Sequence, residues 1–126
     1  MGEAPPLSRG VDQRGRLPGM TVLICLTTCP DRATAERLAE RLVSERLAAC
    51  VSVLPGMRST YRWRGQLERV DEALLLIKTT RDRYPALQAR LPALHPYELP
   101  ELVAVEACDG LPAYLDWVAG GSTPVD

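Results

Sequence analysis

The chain has 126 residues and a formal net charge of −1, with 46% hydrophobic and 25% charged residues. This composition is typical of one folded globular domain and excludes a disordered chain. The balanced charge excludes the basic surface of nucleic-acid-binding proteins, and no apolar run approaches the roughly 18 residues that span a bilayer. Because the N-terminus lacks the basic-then-apolar order of a secretory signal, we expect a cytoplasmic protein without nucleic-acid or membrane partners.

The domain is predicted to occupy residues 20–118. Residues 1–19 contain three prolines and four glycines without periodicity, and they are predicted to form a flexible tail. Residues 119–126 are predicted to form a second tail. The β-branched and apolar residues 21–27 predict a buried strand, after which Asp31 is a candidate N-cap. The helix that follows is indicated by apolar residues at helical spacing, namely Ala35, Leu38, Ala39, Leu42, Val43 and Leu47.

A long hairpin is predicted next. Residues 48–54 and 58–63 form its first arm, which Pro55-Gly56 interrupts with a bulge or kink because proline cannot donate to a strand ladder. Residues 64–66 form the turn, and residues 67–78 form a third strand that is buried on both faces. Both arms exceed the usual strand of about five or six residues. Such arms leave long unpaired edges, which predicts an oligomer.

The second half of the chain predicts a helix, a strand and a short last helix. The first helix is expected to start near Arg81, with Pro85 in its first turn, and to end or kink at Pro92. Residues 102–108 predict a fourth strand, and residues 111–118 predict a last helix capped by Asp109. The order βαββαβ with a terminal helix predicts an α+β, ferredoxin-like sandwich built from two split βαβ units.

The one histidine of the chain, His95, lies in the segment 95–101, HPYELPE. Imidazole titrates near neutral pH and is a common metal ligand, and the two prolines stiffen the loop that carries it. The segment therefore suggests a site, although a constrained turn in which His95 makes a local hydrogen bond is the alternative.

The four cysteines lack the paired C-x-x-C spacing of zinc sites. Cys25 and Cys29, if they share one extended strand, are about 13 Å apart, which is too far for a disulfide. Reduced thiols that pack as small hydrophobic side chains are therefore expected at Cys25, Cys29 and Cys108.

Six segments in register resemble the CutA family of CutA1-type divalent-cation tolerance proteins over residues 20–118. They are PD at 30–31, RLAACV at 46–51, PG at 55–56, YRWRG at 61–65, KTT at 78–80 and HPYELPE at 95–101. The resemblance implies a homotrimer assembled through the long hairpins, with a shape like PII-type signalling proteins. It further implies a cytoplasmic role in tolerance to copper and other divalent metals, and no catalytic reaction, so we expect a protein that is not an enzyme.

The resemblance also implies a cleft between subunits. Its candidate lining residues are Tyr61, Trp63, Lys78, His95, Tyr97 and Glu98. The candidate ligands for Cu²⁺ or another divalent cation are His95, Cys50 and Glu98. Copper-binding relatives carry a histidine doublet before Pro-Tyr, whereas this chain has Leu94 at the first of those positions.

Each candidate has a structural alternative. Cys50 could be a small core residue, and Glu98 a partner of one of the arginines. Lys78 could be a charge at a strand end, while Tyr61 and Trp63 could pack against a neighbouring subunit.

Three functions compete on these residues. The first is a trimeric metal-responsive binding protein. The second is a PII-like regulator that binds a small anionic ligand through Lys78 and arginines and signals to an unidentified protein partner. The third is an enzyme that uses Cys50 with His95, which requires the two side chains to lie within hydrogen-bond reach.

Overall fold

The computed structural model describes residues 17–124 of the chain. After a short 3₁₀ turn at Pro18–Met20, the elements are β1 (Val22–Cys29), α1 (Arg32–Ser44), β2 (Cys50–Trp63), β3 (Gln66–Thr80), α2 (Tyr84–Leu94), β4 (Val103–Glu106) and α3 (Pro112–Ser122). The α+β class predicted from the sequence is confirmed. None of the helices in this part of the chain is long and apolar enough to cross a membrane.

The four strands form one antiparallel sheet in the order β2-β3-β1-β4. Since β1 and β2 both run antiparallel to β3, they are parallel to each other with β3 between them. The units β1-α1-β2 and β3-α2-β4 therefore interleave, as the split βαβ prediction requires. The trimer predicted from the long edges stays a prediction.

One face of the sheet is covered by α1 and α2. Alternate residues of β3 (Ala73, Leu75, Ile77) are buried there against Leu42 of α1 and Leu87 of α2. The other residues of β3 point to the second face, which we call the open face, because side chains alternate along a strand. Leu54 of β2 and Val105 of β4 are exposed on that face, at 45% and 56%.

The hairpin has the two irregularities that its sequence predicted. The register of β2 against β3 shifts between Leu54 and Met57, and Gly56 adopts a φ of +82° inside this bulge. At the far end, Trp63 pairs with Gln66 across the two-residue turn Arg64-Gly65, both of whose φ angles are positive. The bulge bends the outer half of the hairpin relative to the rest of the sheet.

Several predicted boundaries were wrong. Helix α2 begins at Tyr84 rather than near Arg81, and it continues past Pro92 to Leu94. Pro92 is tolerated because it removes one hydrogen bond from the exposed side of the helix, where water can satisfy the freed carbonyl of Gln88. The strand predicted at 102–108 covers only Val103–Glu106.

The C-terminal helix also differs from its prediction. Its N-cap is Leu111, and the Asp109 carboxylate instead accepts from the backbone N–H of Gly110 at 2.8 Å. The helix continues to Ser122, whose side chain and that of Ala119 are buried, so residues 119–122 belong to the fold rather than to a tail. The predicted N-terminal tail lies outside the described residues, except for positions 17–19.

Candidate functional site

His95 is held at the end of α2 by hydrogen bonds to both ring nitrogens. The ring is buried, with 7% of the residue exposed, and Nε2 lies 2.7 Å from the carbonyl oxygen of Thr28 in β1. The other nitrogen, Nδ1, accepts from the backbone N–H of Tyr97 at 3.1 Å. Because a carbonyl can only accept, Nε2 carries the proton, and this fixes the neutral tautomer of the imidazole.

This arrangement makes His95 a positioning residue. Its two bonds tie the loop after α2 to the end of β1 and set the place of Tyr97, whose ring centroid lies 4.9 Å from that of the imidazole. A metal ion on His95 would have to replace one of these bonds. The constrained turn in which His95 makes a local hydrogen bond, predicted as the alternative to a ligand site, is therefore present.

Tyr97 connects this loop to a buried carboxylate on β3. Its hydroxyl donates to Glu72 Oε2 at 2.7 Å, and only 8% of Glu72 is exposed. Burial raises the pKa of Tyr97 well above its ordinary value, and the hydrogen bond to Glu72 and the charge of that carboxylate raise it further. The phenol therefore stays protonated and donates. No ion pair to Glu72 exists within residues 17–124.

A cleft of about 490 Å³ opens between the outer half of the hairpin and the 95–101 segment. It is lined by Thr28, Ser59, Thr60, Tyr61, Trp63, Glu72, Tyr97, Leu99 and Glu101. Three aromatic rings and two carboxylates thus face one space, and the part of the chain that the structure describes adds no Lys or Arg to the lining. We call this space the acidic aromatic cleft.

Glu98 forms an ion pair with Arg64 at the tip of the hairpin, where Arg64 Nη2 lies 3.0 Å from Glu98 Oε2. The same guanidinium lies over the ring of Trp63, with its carbon 5.4 Å from the ring centroid. The positive φ of Arg64, 51°, belongs to the tight turn that brings it there. Glu98 therefore fastens the hairpin tip to the 95–101 segment, in agreement with its interpretation as an arginine partner.

Lys78 lies at the opposite end of β3 from the cleft. It pairs in register with Ile24 of β1 and Cys50 of β2. Leu74, which pairs with the cleft residue Thr28, lies four residues, or about 13 Å, away along β3. Its Nζ donates to the hydroxyl of Tyr114 on α3 at 3.0 Å, and this bond raises the pKa of Lys78. Within one subunit, Lys78 and Cys50 therefore do not belong to the acidic aromatic cleft.

The thiol nearest to His95 is that of Cys29, whose Sγ lies 3.8 Å from Nε2. Burial, followed by the charges of Asp31 and Glu72, raises the pKa of Cys29 from 9.0 to about 11. Cys25 is also buried in the core, which agrees with its predicted packing role. Cys108 is exposed, so the packing role predicted for it was wrong.

A family model described as CutA1 divalent ion tolerance protein matches residues 23–120. The chain belongs to the CutA1 family. The divalent-cation tolerance protein CutA of Thermus thermophilus is 47% identical over 95 residues, which are 75% of this chain and 92% of that protein. The family resemblance found in the sequence is thereby confirmed.

Solved CutA structures share the fold of this chain. CutA from Xylella fastidiosa is 50% identical, with a TM-score of 0.79 over 82% of this chain and 99% of that one. A protein from Archaeoglobus fulgidus, described as a periplasmic divalent cation tolerance protein, is 30% identical, with a TM-score of 0.77 over 81% and 99% of the two chains.

The three candidate metal ligands do not meet within one subunit of this CutA1 protein. His95 uses both nitrogens inside the fold, Glu98 pairs with Arg64 beyond the cleft, and Cys50 lies beside Lys78. Residues 17–124 bring no three His, Cys, Asp or Glu side chains together as a metal-binding group. A site made from this set would need more than one CutA1 subunit.

Sequence reasoning missed Glu72. Its signal is an acidic residue directly before the apolar run 73–77, where a charge is unexpected unless it has a dedicated partner. That partner, Tyr97, lies 25 residues away, and no local pattern connects the two. Thr28, which lines the same cleft, was missed as a site residue for the same reason.

Proposed function

We propose that this member of the CutA1 family is a homotrimeric binding protein that serves divalent-cation tolerance by holding a cation in the acidic aromatic cleft. The observation that carries the proposal is Glu72, a buried carboxylate that lines the cleft and forms no ion pair within the described residues. A buried charge without a counter-charge is costly, and a bound cation removes that cost.

The charge of the cleft favours a cation over an anion. Glu72 and Glu101 line it, whereas Lys78, on which an anion site would depend, is bonded to Tyr114 at the other end of the strand. The PII-like alternative, a regulator that binds a small anion, would therefore have to use the Lys78 end of the sheet. The cation is favoured because like charges repel an anionic ligand from the cleft.

The trimer is supported by the open face of the sheet. Leu54, Val103 and Val105 expose 45%, 50% and 56% of their surfaces there, and β2 offers a long edge without a partner strand within residues 17–124. Exposed apolar faces and free edges in soluble proteins are usually covered by another chain. A second and third copy of this chain would cover them and close the cleft from the open side.

A binding role without catalysis is supported by the state of the thiols. The enzyme hypothesis requires Cys50 beside His95, but Cys50 pairs with Lys78 on β3. The thiol that does lie near His95 belongs to Cys29, whose pKa is raised to about 11, so that it is almost entirely protonated at neutral pH. The cytoplasmic location stays a prediction.

Divalent cations are the first ligands to test, with Cu²⁺ and Mn²⁺ as a softer and a harder probe. Equilibrium dialysis of the reduced protein should show binding that Glu72→Gln weakens about tenfold, or 1.4 kcal/mol, because the variant keeps the shape of the side chain and removes its charge. Asp71→Asn is the matched control, since Asp71 precedes Glu72 on the same strand and its side chain is exposed. Equal binding by all three proteins would remove the cleft from the cation site.

The trimer has its own test. Light scattering after gel filtration should give three times the subunit mass for the wild-type protein. Leu54→Glu should dissociate the assembly, because it places a charge on the open face. Val43→Glu should not, because Val43 is 40% exposed on α1, in the helix layer. A monomeric wild-type protein would refute the proposed assembly.

A further inference from the structure

The lining of the acidic aromatic cleft narrows the kind of cation that fits it. Tyr61, Trp63 and Tyr97 supply aromatic rings, and Glu72 supplies a buried carboxylate. We infer that the cleft binds an alkylated ammonium cation, with its charge against Glu72 and its carbon substituents against the three rings. The inference rests on the proposed function, since it names the ligand class of the same cleft.

A bare metal ion would interact with less of this lining than an organic cation would. Hard divalent cations take six or more oxygen ligands, and softer ones take imidazole or thiolate. The cleft offers two carboxylates and five neutral hydroxyls, from Thr28, Ser59, Thr60, Tyr61 and Tyr97. The Tyr97 hydroxyl is already bonded to Glu72, the imidazole of His95 is committed to the backbone, and residues 17–124 add no third His, Cys, Asp or Glu as a metal-binding group. Aromatic faces attract organic cations through the negative charge above each ring, and that attraction grows as water is excluded.

The chain already uses one of these rings to hold a cation. The guanidinium of Arg64 lies over Trp63, with 5.4 Å between its carbon and the ring centroid, and Glu98 balances its charge. Trp63 is therefore a surface on which an organic cation is held beside a carboxylate. Tyr97 and Glu72 also combine an aromatic ring with a carboxylate, but within residues 17–124 no cationic side chain pairs with this carboxylate.

The size of the cleft fits a small organic molecule. Its volume of about 490 Å³ lies within the roughly 300–1,000 Å³ of small-molecule sites and far exceeds the space of a single ion. Aromatic rings share the lining with the buried Glu72, the exposed Glu101 and hydroxyl groups, so the cleft offers both acidic and aromatic contacts to a cation with carbon substituents. The exposed Leu99 extends the apolar wall outward.

Tetramethylammonium is the probe that tests this inference. The chain has two tryptophans, so Trp117→Phe leaves Trp63 as the one indole and makes its fluorescence a reporter of the cleft. Titration of this variant with tetramethylammonium chloride should change the Trp63 signal with saturation, whereas sodium chloride at equal ionic strength should not. In the same background, Glu72→Gln should weaken binding about tenfold, and Asp71→Asn should leave it within about twofold.

Equilibrium dialysis with the wild-type protein supplies a second readout that does not depend on fluorescence. Trp63→Leu tests the wall separately from the charge and should also weaken binding of tetramethylammonium by about tenfold. Circular dichroism confirms that each variant is folded.

The two proposals can fail separately. Saturable binding of Cu²⁺ or Mn²⁺ that needs Glu72, without binding of tetramethylammonium, would overturn the ammonium inference and keep the cation site. Absence of ammonium binding because a neighbouring subunit places its own lysine or arginine on Glu72 would overturn the inference as well. Binding of all probes that is indifferent to Glu72→Gln would overturn both.

Discussion

Strand β3 carries two similar pairs in opposite settings. In the middle of the strand the hydroxyl of Tyr97 donates to the carboxylate of Glu72 at 2.7 Å, and near its C-terminal end the ammonium of Lys78 donates to the hydroxyl of Tyr114 at 3.0 Å. Each pair joins a phenol to a charged side chain on the same strand. Glu72 is buried and lines a cleft, whereas Lys78 is half-buried and its partner Tyr114 is exposed.

Burial decides what each pair can do. Water solvates Lys78, so its bond to Tyr114 fixes an orientation and adds little stability. Water reaches Glu72 far less, so its charge depends on groups inside the fold and on whatever enters the cleft. A charged residue next to a tyrosine is therefore a candidate ligand site only where the tertiary structure removes its other partners.

The largest expected effect comes from the support of the cleft. His95→Ala removes a buried ring and leaves the Thr28 carbonyl and the Tyr97 N–H without partners, so we expect a loss of about 2–4 kcal/mol in the free energy of unfolding. Urea denaturation at fixed protein concentration measures it.

Two conservative variants divide this effect between the two ring nitrogens. His95→Gln can still donate to the Thr28 carbonyl, and His95→Asn can still accept from the Tyr97 N–H. If His95 positions Tyr97, the asparagine variant restores ligand binding in the cleft better than the glutamine variant does. Equal binding by both would contradict the positioning role.

The comparison is sharpest when the tyrosine hydroxyl is removed from each of the two pairs. Tyr97→Phe leaves one oxygen of the buried Glu72 without its donor and should cost about 1–2 kcal/mol. Tyr114→Phe leaves Lys78 to water and should cost no more than about 0.5 kcal/mol. Thermal unfolding of the two variants side by side tests the difference. Equal losses would show that burial does not separate the two pairs.

The smallest expected effect lies in the helix layer, where Glu45 bonds to Arg90 of α2 and to Arg41 of its own helix. These hydrogen bonds, Arg90 first, lower the pKa of Glu45 from 4.5 to about 2. The ionised carboxylate therefore contributes stability above pH 4.5, and this contribution disappears as the pH falls toward 2. Melting curves should show Glu45→Gln slightly less stable at pH 7, with the gap closing in acid; a gap independent of pH would contradict this assignment.

Local patterns sufficed for much of the fold. Asp31 was predicted as a cap because it directly precedes the helical pattern, and its carboxylate does accept from the N–H of Thr34, three residues along, at 2.7 Å. Pro55-Gly56 marked the bulge because proline lacks the donor that a strand needs. Asp109 misled because a carboxylate near a helix start has competing backbone partners, and here it bonds to the adjacent Gly110.

The site was predicted only in part. Tyr61, Trp63 and Tyr97 do line one cleft, and His95 and Glu98 hold its walls, but Lys78 and Cys50 lie at the other end of the sheet in the same subunit. The resemblance grouped them because it describes an assembly of subunits.

The sequence by itself determined the elements, their order and the family, because hydrophobic period, turn residues and motifs act over a few positions of the chain. Only the tertiary structure decided that the Tyr97 hydroxyl bonds to Glu72 and that both ring nitrogens of His95 bond to backbone groups. Those contacts follow from the register of four strands and from the path of the loop after α2 across the end of β1. Register and loop path are set by the packing of the whole sheet, and no short stretch of sequence contains them.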